Sequence, residues 1–152
     1  MGVIYVDSSG LLKLYVPETG SLWMLERSQS DDVVLSQLAI SEVGMALTRT
    51  APEAVLTEGQ ARTAWKKFRR DIRRFRIVPL SRQSLIAAAM SAARLSMPIR
   101  TLDAIQLQGA VEARERARRA RAEEPLFVSA DARPLAAATA LGFATENPLN
   151  HP

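Results

Sequence analysis

The chain has 152 residues, 47% of them hydrophobic and 24% charged, enough for one globular domain with its own core. The absence of cysteine excludes a disulfide framework and thiolate catalysis, and no hydrophobic run approaches the ~20 residues of a membrane span, so we expect a cytoplasmic protein. The net charge is +4, but eight cations lie within residues 62–76 and five more within 114–121, which favours a polyanionic partner.

Strand-like and helix-like segments alternate along the chain. The first half predicts a strand at Val3–Val6, a helix over 19–28, a strand over 33–35, and helices over 37–49 and 57–74. The second half predicts a strand over 76–80, helices over 83–95 and 100–120, a strand over 126–129, a helix over 133–141 and a strand over 143–145. This alternation indicates βαβ units. We therefore predict one α/β domain over residues 1–152, a three-layer sandwich with a mainly parallel central sheet flanked by helices.

Four acidic residues occupy positions where a parallel sheet collects its ligands. Asp7 and Asp131 each follow a predicted strand, and Asp103 lies in the first turn of a predicted helix. Because strand carboxyl ends and the amino ends of the following helices share one edge, we expect these three to meet there. Glu42 interrupts the apolar face of the helix over 37–49, where an unpaired carboxylate is costly, and we expect it to reach the same edge.

Each acid also has an ordinary structural interpretation. Asp7 and Asp131 suit helix N-caps, Asp103 suits a helix dipole, and Glu42 can lie at an exposed margin or pair with an arginine. Their convergence at one edge is what favours a site. Neighbouring carboxylates repel and raise one another's pKa, and a bound cation relieves that repulsion. An all-oxygen ligand set suits Mg²⁺ or Mn²⁺ rather than zinc.

Several other chemistries lack their residues. The one histidine, His151, is next to the last residue, which disfavours a Ser/His/Asp triad. No glycine-rich loop matches a P-loop or a dinucleotide fingerprint. A D-x-S-x-S adhesion site needs a serine where Leu11 stands, and a phosphoaspartate hydrolase needs an aspartate where Ser9 stands. Metal-activated water remains the strongest available nucleophile.

Four segments carry a resemblance to a known family: VIYVDSSGLLKLYVPE, SQLAISEVGMAL, RTLDAIQLQGA and LFVSADARPLAAATALGFATENP. In this order and spacing, over nearly the whole chain, they resemble the PIN domain, specifically the small VapC-like toxins of toxin–antitoxin pairs. The resemblance implies a catalytic and metal-binding set with two supporting hydroxyls, namely Asp7, Glu42, Asp103 and Asp131 with Ser8 and Ser129. Gln106 stands where many relatives have histidine, so a role for that histidine does not carry over.

The resemblance also implies an activity and partners. The expected activity is Mg²⁺-dependent endoribonuclease cleavage of a structured RNA, in which Glu42 would be a metal ligand that also orients the attacking water. The expected partners are a second copy of the chain, as a homodimer, and a cognate antitoxin that covers the acidic site. Two alternatives stay open: a PIN nuclease that processes RNA without a toxin role, and a non-catalytic RNA-binding module.

The segment 62–76 predicts a helix with two different faces. The aromatic residues Trp65, Phe68 and Phe75 recur with Ile72 at helical spacing, and we expect them in the core or an interface rather than as base-stacking platforms. The opposite face carries cations that we expect to contact RNA phosphates, with a plain solvated face as the alternative: Lys66, Lys67, Arg69, Arg70, Arg73 and Arg74. The second basic run, 114–121, is interpreted as a solvated helix face, because acids stand one turn from its arginines.

Overall fold

The computed structural model describes residues 1–49 and 56–152. Its strands are β1 (Val3–Val6), β2 (Asp32–Ser36), β3 (Arg76–Val78), β4 (Leu126–Val128) and β5 (Thr145–Glu146). Its α-helices are α1 (Ser8–Leu12), α2 (Ser21–Ser30), α3 (Gln37–Thr48), α4 (Glu58–Asp71), α5 (Arg82–Arg94), α6 (Thr101–Arg119) and α7 (Ala132–Ala140). Two short 3₁₀ turns, Ile72–Arg74 and Pro148–Asn150, complete the described elements.

The five strands form one sheet in the order β3-β2-β1-β4-β5, and every pairing is parallel. The register aligns Tyr5 of β1 with Val34 of β2 and Phe127 of β4. β1 is therefore the central strand, and the residue that follows it, Asp7, stands at the middle of the carboxyl edge. The predicted α/β class and parallel sheet are confirmed.

Helices cover both faces of the sheet, because successive side chains of a strand point to opposite faces. Ile4 and Val6 belong to a core shared with α1, α2, α3 and α4. Tyr5, between them, belongs to a second core with α6 and α7. The predicted three-layer sandwich is confirmed, and α5 packs outside the second core against α6.

Some element boundaries differ from the predicted ones. A short helix, α1, begins directly after Asp7, in a stretch where the sequence predicted no separate helix. β3 ends at Val78 instead of residue 80, because Pro79 has no N–H to donate to a neighbouring strand. β5 covers Thr145–Glu146 instead of 143–145, since Phe143 turns into the second core.

The C-terminal residues fold back onto α2. Pro148 packs against Gly20, whose φ of +86° and contact with Pro148 leave no room for a side chain. The indole ring of Trp23 stacks on the imidazole of His151, with ring centroids 4.6 Å apart. The other tryptophan, Trp65 of α4, packs against α3, where its ring lies 3.0 Å from the position that a Cβ at Gly44 would take. No helix in the described ranges is long and apolar enough to cross a membrane.

Candidate active site at the carboxyl edge of the sheet

Asp7 is a buried carboxylate, 5% exposed, surrounded by neutral hydrogen-bond donors. Its Oδ1 accepts from the Gly10 backbone N–H at 2.9 Å and from the Ser9 hydroxyl at 2.7 Å, and its Oδ2 accepts from the Ser129 hydroxyl at 2.6 Å. Asp7 therefore caps α1, which confirms its ordinary interpretation. Burial raises the pKa of Asp7 to about 6 in spite of these donors, and the Asp131 carboxylate adds to the increase.

Ser9 and Ser129 tie the end of β1 to the end of β4. Their hydroxyl oxygens are 3.2 Å apart, and both contact Asp7. The Ser9 oxygen also accepts from the Ala130 N–H at 2.9 Å, and the Ser129 oxygen from the Asp131 N–H at 3.0 Å. These bonds position the Asp131 backbone beside Asp7. The Asp131 side chain forms no cap bond to α7, so N-capping does not explain its carboxylate.

Glu42 is held by a hydroxyl and an amide. Its Oε1 accepts from the Ser8 hydroxyl and from the side-chain amide of Gln106, and that amide also donates to the Ser8 oxygen at 2.9 Å. The predicted supporting hydroxyl of Ser8 thus contacts Glu42, whereas that of Ser129 contacts Asp7. Among residues 1–49 and 56–152, Glu42 forms no ion pair with an arginine, so that alternative fails for the described part of the chain.

Tyr5 fixes Gln106 from inside the second core. The fully buried phenol donates to the Gln106 backbone carbonyl at 2.7 Å and lies 3.3 Å from its Oε1. Burial and the nearby Asp7 carboxylate hold the pKa of Tyr5 well above its usual value, so the phenol stays a donor. Its hydroxyl occupies the space that a Cβ at Gly109 would need, so only glycine fits there. The amide nitrogen of Gln106 is thereby turned toward Glu42.

Asp103 lies in the first turn of α6, as predicted, and faces Asp131. Burial and the Asp131 carboxylate raise the pKa of Asp103, while Arg100 and Arg133 oppose the increase. Asp131 therefore acts electrostatically on both Asp7 and Asp103. Glu42 is tied to the residue after Asp7 by its hydrogen bond with Ser8.

The PIN domain family model matches residues 4–140. The chain belongs to the PIN domain family. Among curated proteins, none matches it in sequence. In fold, this PIN domain is similar to the structure of FitAB bound to an IR36 DNA fragment, with a TM-score of 0.66, 14% identity, and coverage of 96% of this chain and 95% of that chain.

Two further solved structures have the same fold. FitAcB from Neisseria gonorrhoeae is similar with a TM-score of 0.62, and a toxin–antitoxin complex from Klebsiella pneumoniae with a TM-score of 0.59. Each has 14% identity, and the match covers 95% of this PIN domain and 97% of the other chain. At this identity the likeness establishes the fold alone.

The acids of this PIN domain fit a hydrated divalent cation better than a dehydrated one. Within residues 1–49 and 56–152, no group of three or more Asp, Glu, His or Cys side chains is arranged to hold a metal ion directly. Magnesium commonly keeps several waters and takes only one or two protein carboxylates. The buried, uncompensated Asp7 and its neighbour Asp131 supply hard oxygen ligands of that kind. The residues present therefore fit Mg²⁺ or Mn²⁺ bound partly through water.

The predicted RNA-contacting cations lie elsewhere on the PIN domain. All six side chains are exposed, while Phe68 and Phe75 are buried and Trp65 and Ile72 pack against the first core, so the predicted apolar face is confirmed. The basic segment leads directly into β3, which places Arg73 and Arg74 at the amino edge of the sheet. Arg73 and Arg74 thus lie at the edge opposite to Asp7.

Some site residues were not singled out from the sequence. Ser9 is one, although its position two residues after Asp7 was a usable signal. Gln106 was noted only as a replacement for histidine, yet it contacts Glu42 directly. Arg100 and Arg133, which flank Asp103 electrostatically, have no sequence signal beyond standing at the starts of α6 and α7.

Proposed function

We propose that this PIN domain is a Mg²⁺-dependent endoribonuclease that serves as the toxin of a toxin–antitoxin pair. The observation that carries the proposal is Asp7: a buried carboxylate at the end of the central strand, with an elevated pKa and a second carboxylate, Asp131, acting on it. Buried charge without a compensating cation is costly, and perturbed carboxylates at the carboxyl edge of a parallel sheet are typical of functional sites.

Asp7, Asp103 and Asp131 would hold the cation, directly or through water. When bound, a divalent cation stabilises charge on a phosphodiester and lowers the pKa of water. Glu42 would be a further metal ligand that also orients the attacking water, because Ser8 and Gln106 hold its carboxylate in one position. Ser9 and Ser129 would keep Asp7 pointed at the edge.

The toxin role draws support from the similar structures, which include FitAB and a toxin–antitoxin complex. By analogy, a cognate antitoxin would cover the acidic edge of this chain. A homodimer is part of the same proposal. Light scattering of the purified chain measures its molar mass, and we expect the mass of a dimer. Inducible expression of wild type and of Asp7→Asn measures toxicity, and growth arrest by wild type alone is the expected result.

Calorimetry with Mn²⁺ tests the metal site. We expect saturable binding to the wild-type chain and none to a variant carrying Asp7→Asn and Asp103→Asn, because both remove anionic ligands. Glu58→Gln, an exposed acid on α4, is the matched control and should bind like wild type. Equal binding by the double variant, or no binding by a folded wild-type chain, would contradict the proposal.

A cleavage screen then tests the substrate. Pools of tRNA and ribosomal RNA incubated with Mg²⁺ should be cut by wild type and left intact by the double variant. Cleavage without growth arrest would favour the RNA-processing nuclease. RNA binding without cation binding or cleavage would favour the non-catalytic module.

A further inference from the structure

A basic groove lies between the C-terminal ends of α2 and α4. Its volume is about 510 Å³. Four cations and one acid line it beside two leucines and two polar residues of α2: Lys67, Arg70, Arg73, Arg74 and Asp71, with Leu14, Leu25, Ser28 and Gln29. The groove is distinct from the carboxylate edge, because none of Asp7, Asp103, Asp131 and Glu42 lines it.

The groove lies toward the amino edge of the sheet. Ser28 and Gln29 stand just before the start of β2, and Asp31, at the same helix end, accepts a bond from the Gly2 N–H at 2.8 Å. From Val3 to Asp7 the central strand rises roughly 13 Å. A single nucleotide therefore cannot contact both the groove and Asp7.

The positive charge of this region exceeds what helix stability explains. The segment 58–74 holds seven cations and two acids, so its net charge exceeds the +4 of the whole chain. A helix dipole favours cations only in the last turn. It does not account for Lys66 and Lys67, which precede the last turn of α4.

The one acid in the groove does not neutralise it. Asp71 is 5% exposed, and it contacts Arg70 at 3.4 Å, Arg74 at 3.6 Å and the Tyr15 hydroxyl at 3.2 Å. These contacts anchor two guanidinium groups at the groove wall. Arg73 forms no ion pair with any described residue, and its side chain is exposed.

The second basic run is different. Arg118 forms a bidentate pair with Glu124, and Arg119 lies 3.9 Å from Glu115. Arg114 donates to the Leu141 carbonyl and stacks over the Phe143 ring. Those three arginines form contacts within the fold, whereas the groove holds four cations and one acid.

We infer that this groove anchors the phosphate backbone of a structured RNA at a distance from the carboxylate edge. From Lys67 to Arg74 the groove cations extend over about two helical turns, roughly 10 Å. Such a row of like charges suits a repeating polyanion, and Leu14 and Leu25 offer apolar surface to sugars and bases. The inference rests on the proposed function and adds a minimum length for the RNA. Only an RNA long enough to span the sheet can contact both the groove and the carboxylate edge.

Lys67 and Arg73 are the best positions to test it. Both line the groove with exposed side chains and neither pairs with Asp71, whereas a change at Arg70 or Arg74 would leave that buried carboxylate short of a cation. The test variant carries Lys67→Gln and Arg73→Gln. The matched control carries Arg82→Gln and Arg94→Gln, two exposed cations of α5.

Fluorescence anisotropy of a labelled RNA hairpin, titrated in EDTA at several salt concentrations, measures the anchoring without cleavage. For the test variant we expect a Kd roughly tenfold higher at low salt, and a slope of log K against log salt smaller by about two. The control should match wild type. With Mg²⁺ present, the KM for the hairpin should rise more than kcat falls.

An unchanged Kd and slope in a folded test variant would overturn the inference. The inference would also be overturned if the test variant lost binding to poly-glutamate but bound RNA like wild type. The groove would then be a binding site for an acidic protein segment. Because the titration needs no divalent cation, its result is separate from the Mn²⁺ calorimetry. If the chain binds RNA through the groove but binds no Mn²⁺, the proposed nuclease function is contradicted. The groove would still be supported as an RNA-binding site.

Discussion

Two aspartates, one at each edge of the sheet, are equally buried and have opposite surroundings. Asp7 and Asp71 are both 5% exposed. Asp7 is contacted by hydroxyls and a backbone N–H, with another carboxylate nearby. Asp71 is contacted by two arginines and a tyrosine.

Under the proposed function, the difference separates a metal-binding carboxylate from a structural one. Buried charge is stable when it is paired and hydrogen-bonded, and costly when it is not. At Asp71 the protein supplies the compensating charge itself. At Asp7 it supplies only dipoles, so the compensation has to come from a bound cation or a proton. Burial alone would not have distinguished the two residues.

The largest expected effect is at Asp7, where substitution should stabilise the metal-free protein. The pKa of Asp7 is raised from 3.8 to about 6 in the folded state. The folded state therefore holds a proton that the unfolded state releases, and stability falls as pH rises through that window. The shift corresponds to about 3 kcal/mol at neutral pH. In urea unfolding with EDTA, the free energy of unfolding of wild type should fall as the pH rises from 3.8 to about 6. That of Asp7→Asn should stay constant over the same range.

With Mn²⁺ added, we expect wild type to become more stable than Asp7→Asn, since a ligand that binds only the folded state stabilises it. Wild type should gain stability with Mn²⁺, and Asp7→Asn should not. The prediction is contradicted if the free energy of unfolding in EDTA changes with pH in the same way for both proteins. The charge of Asp7 would then be compensated within the chain.

A loss of about 2 kcal/mol is expected for Asp71→Ala, because the buried Tyr15 hydroxyl loses its acceptor and two arginines lose their partner. Asp32→Ala is the control: Asp32 is half-buried and pairs with Arg76, a surface pair worth less than about 1 kcal/mol. Urea unfolding at neutral pH measures both. A more stable Asp71→Ala variant would break the contrast between the two aspartates.

The smallest effect on stability, about 1 kcal/mol, is expected for Gln106→Leu, which removes the amide that orients Glu42. Its Mn²⁺ affinity should fall roughly tenfold, as is typical when a ligand loses its orienting partner. Gln108→Leu is the control, since Gln108 is equally part of α6 but contacts Glu112 instead. If calorimetry gives both variants the wild-type affinity, Gln106 does not position a metal ligand.

The sequence predicted the sheet and its layers, because these depend on periodicity. It also placed Asp7 directly after a strand and Asp103 in the first turn of a helix, as the structure has them. It indicated α1 only through the N-cap interpretation of Asp7, since a five-residue helix is too short to show a period. The polar network around Glu42 was also inaccessible, because it joins residues that are far apart in the chain: Ser8, Glu42 and Gln106.

The position of the basic residues was only half predicted. Their exposed helical face followed from the spacing of Phe68 and Phe75. Their place at the amino edge follows from the strand that comes next, β3, and was not drawn from the pattern. The contacts of Asp71 with Arg70 and with Tyr15 depend on packing, which no local pattern contains.

The two tryptophans give this domain two optical probes in different places. Trp23 stacks on His151, so its fluorescence would follow release of the C-terminal residues. Trp65 lies between α3 and α4, on the helix that carries the cations, so its emission would follow that helix. With Trp23→Phe and Trp65→Phe as a pair of single-tryptophan variants, each region can be watched separately while ligand is added.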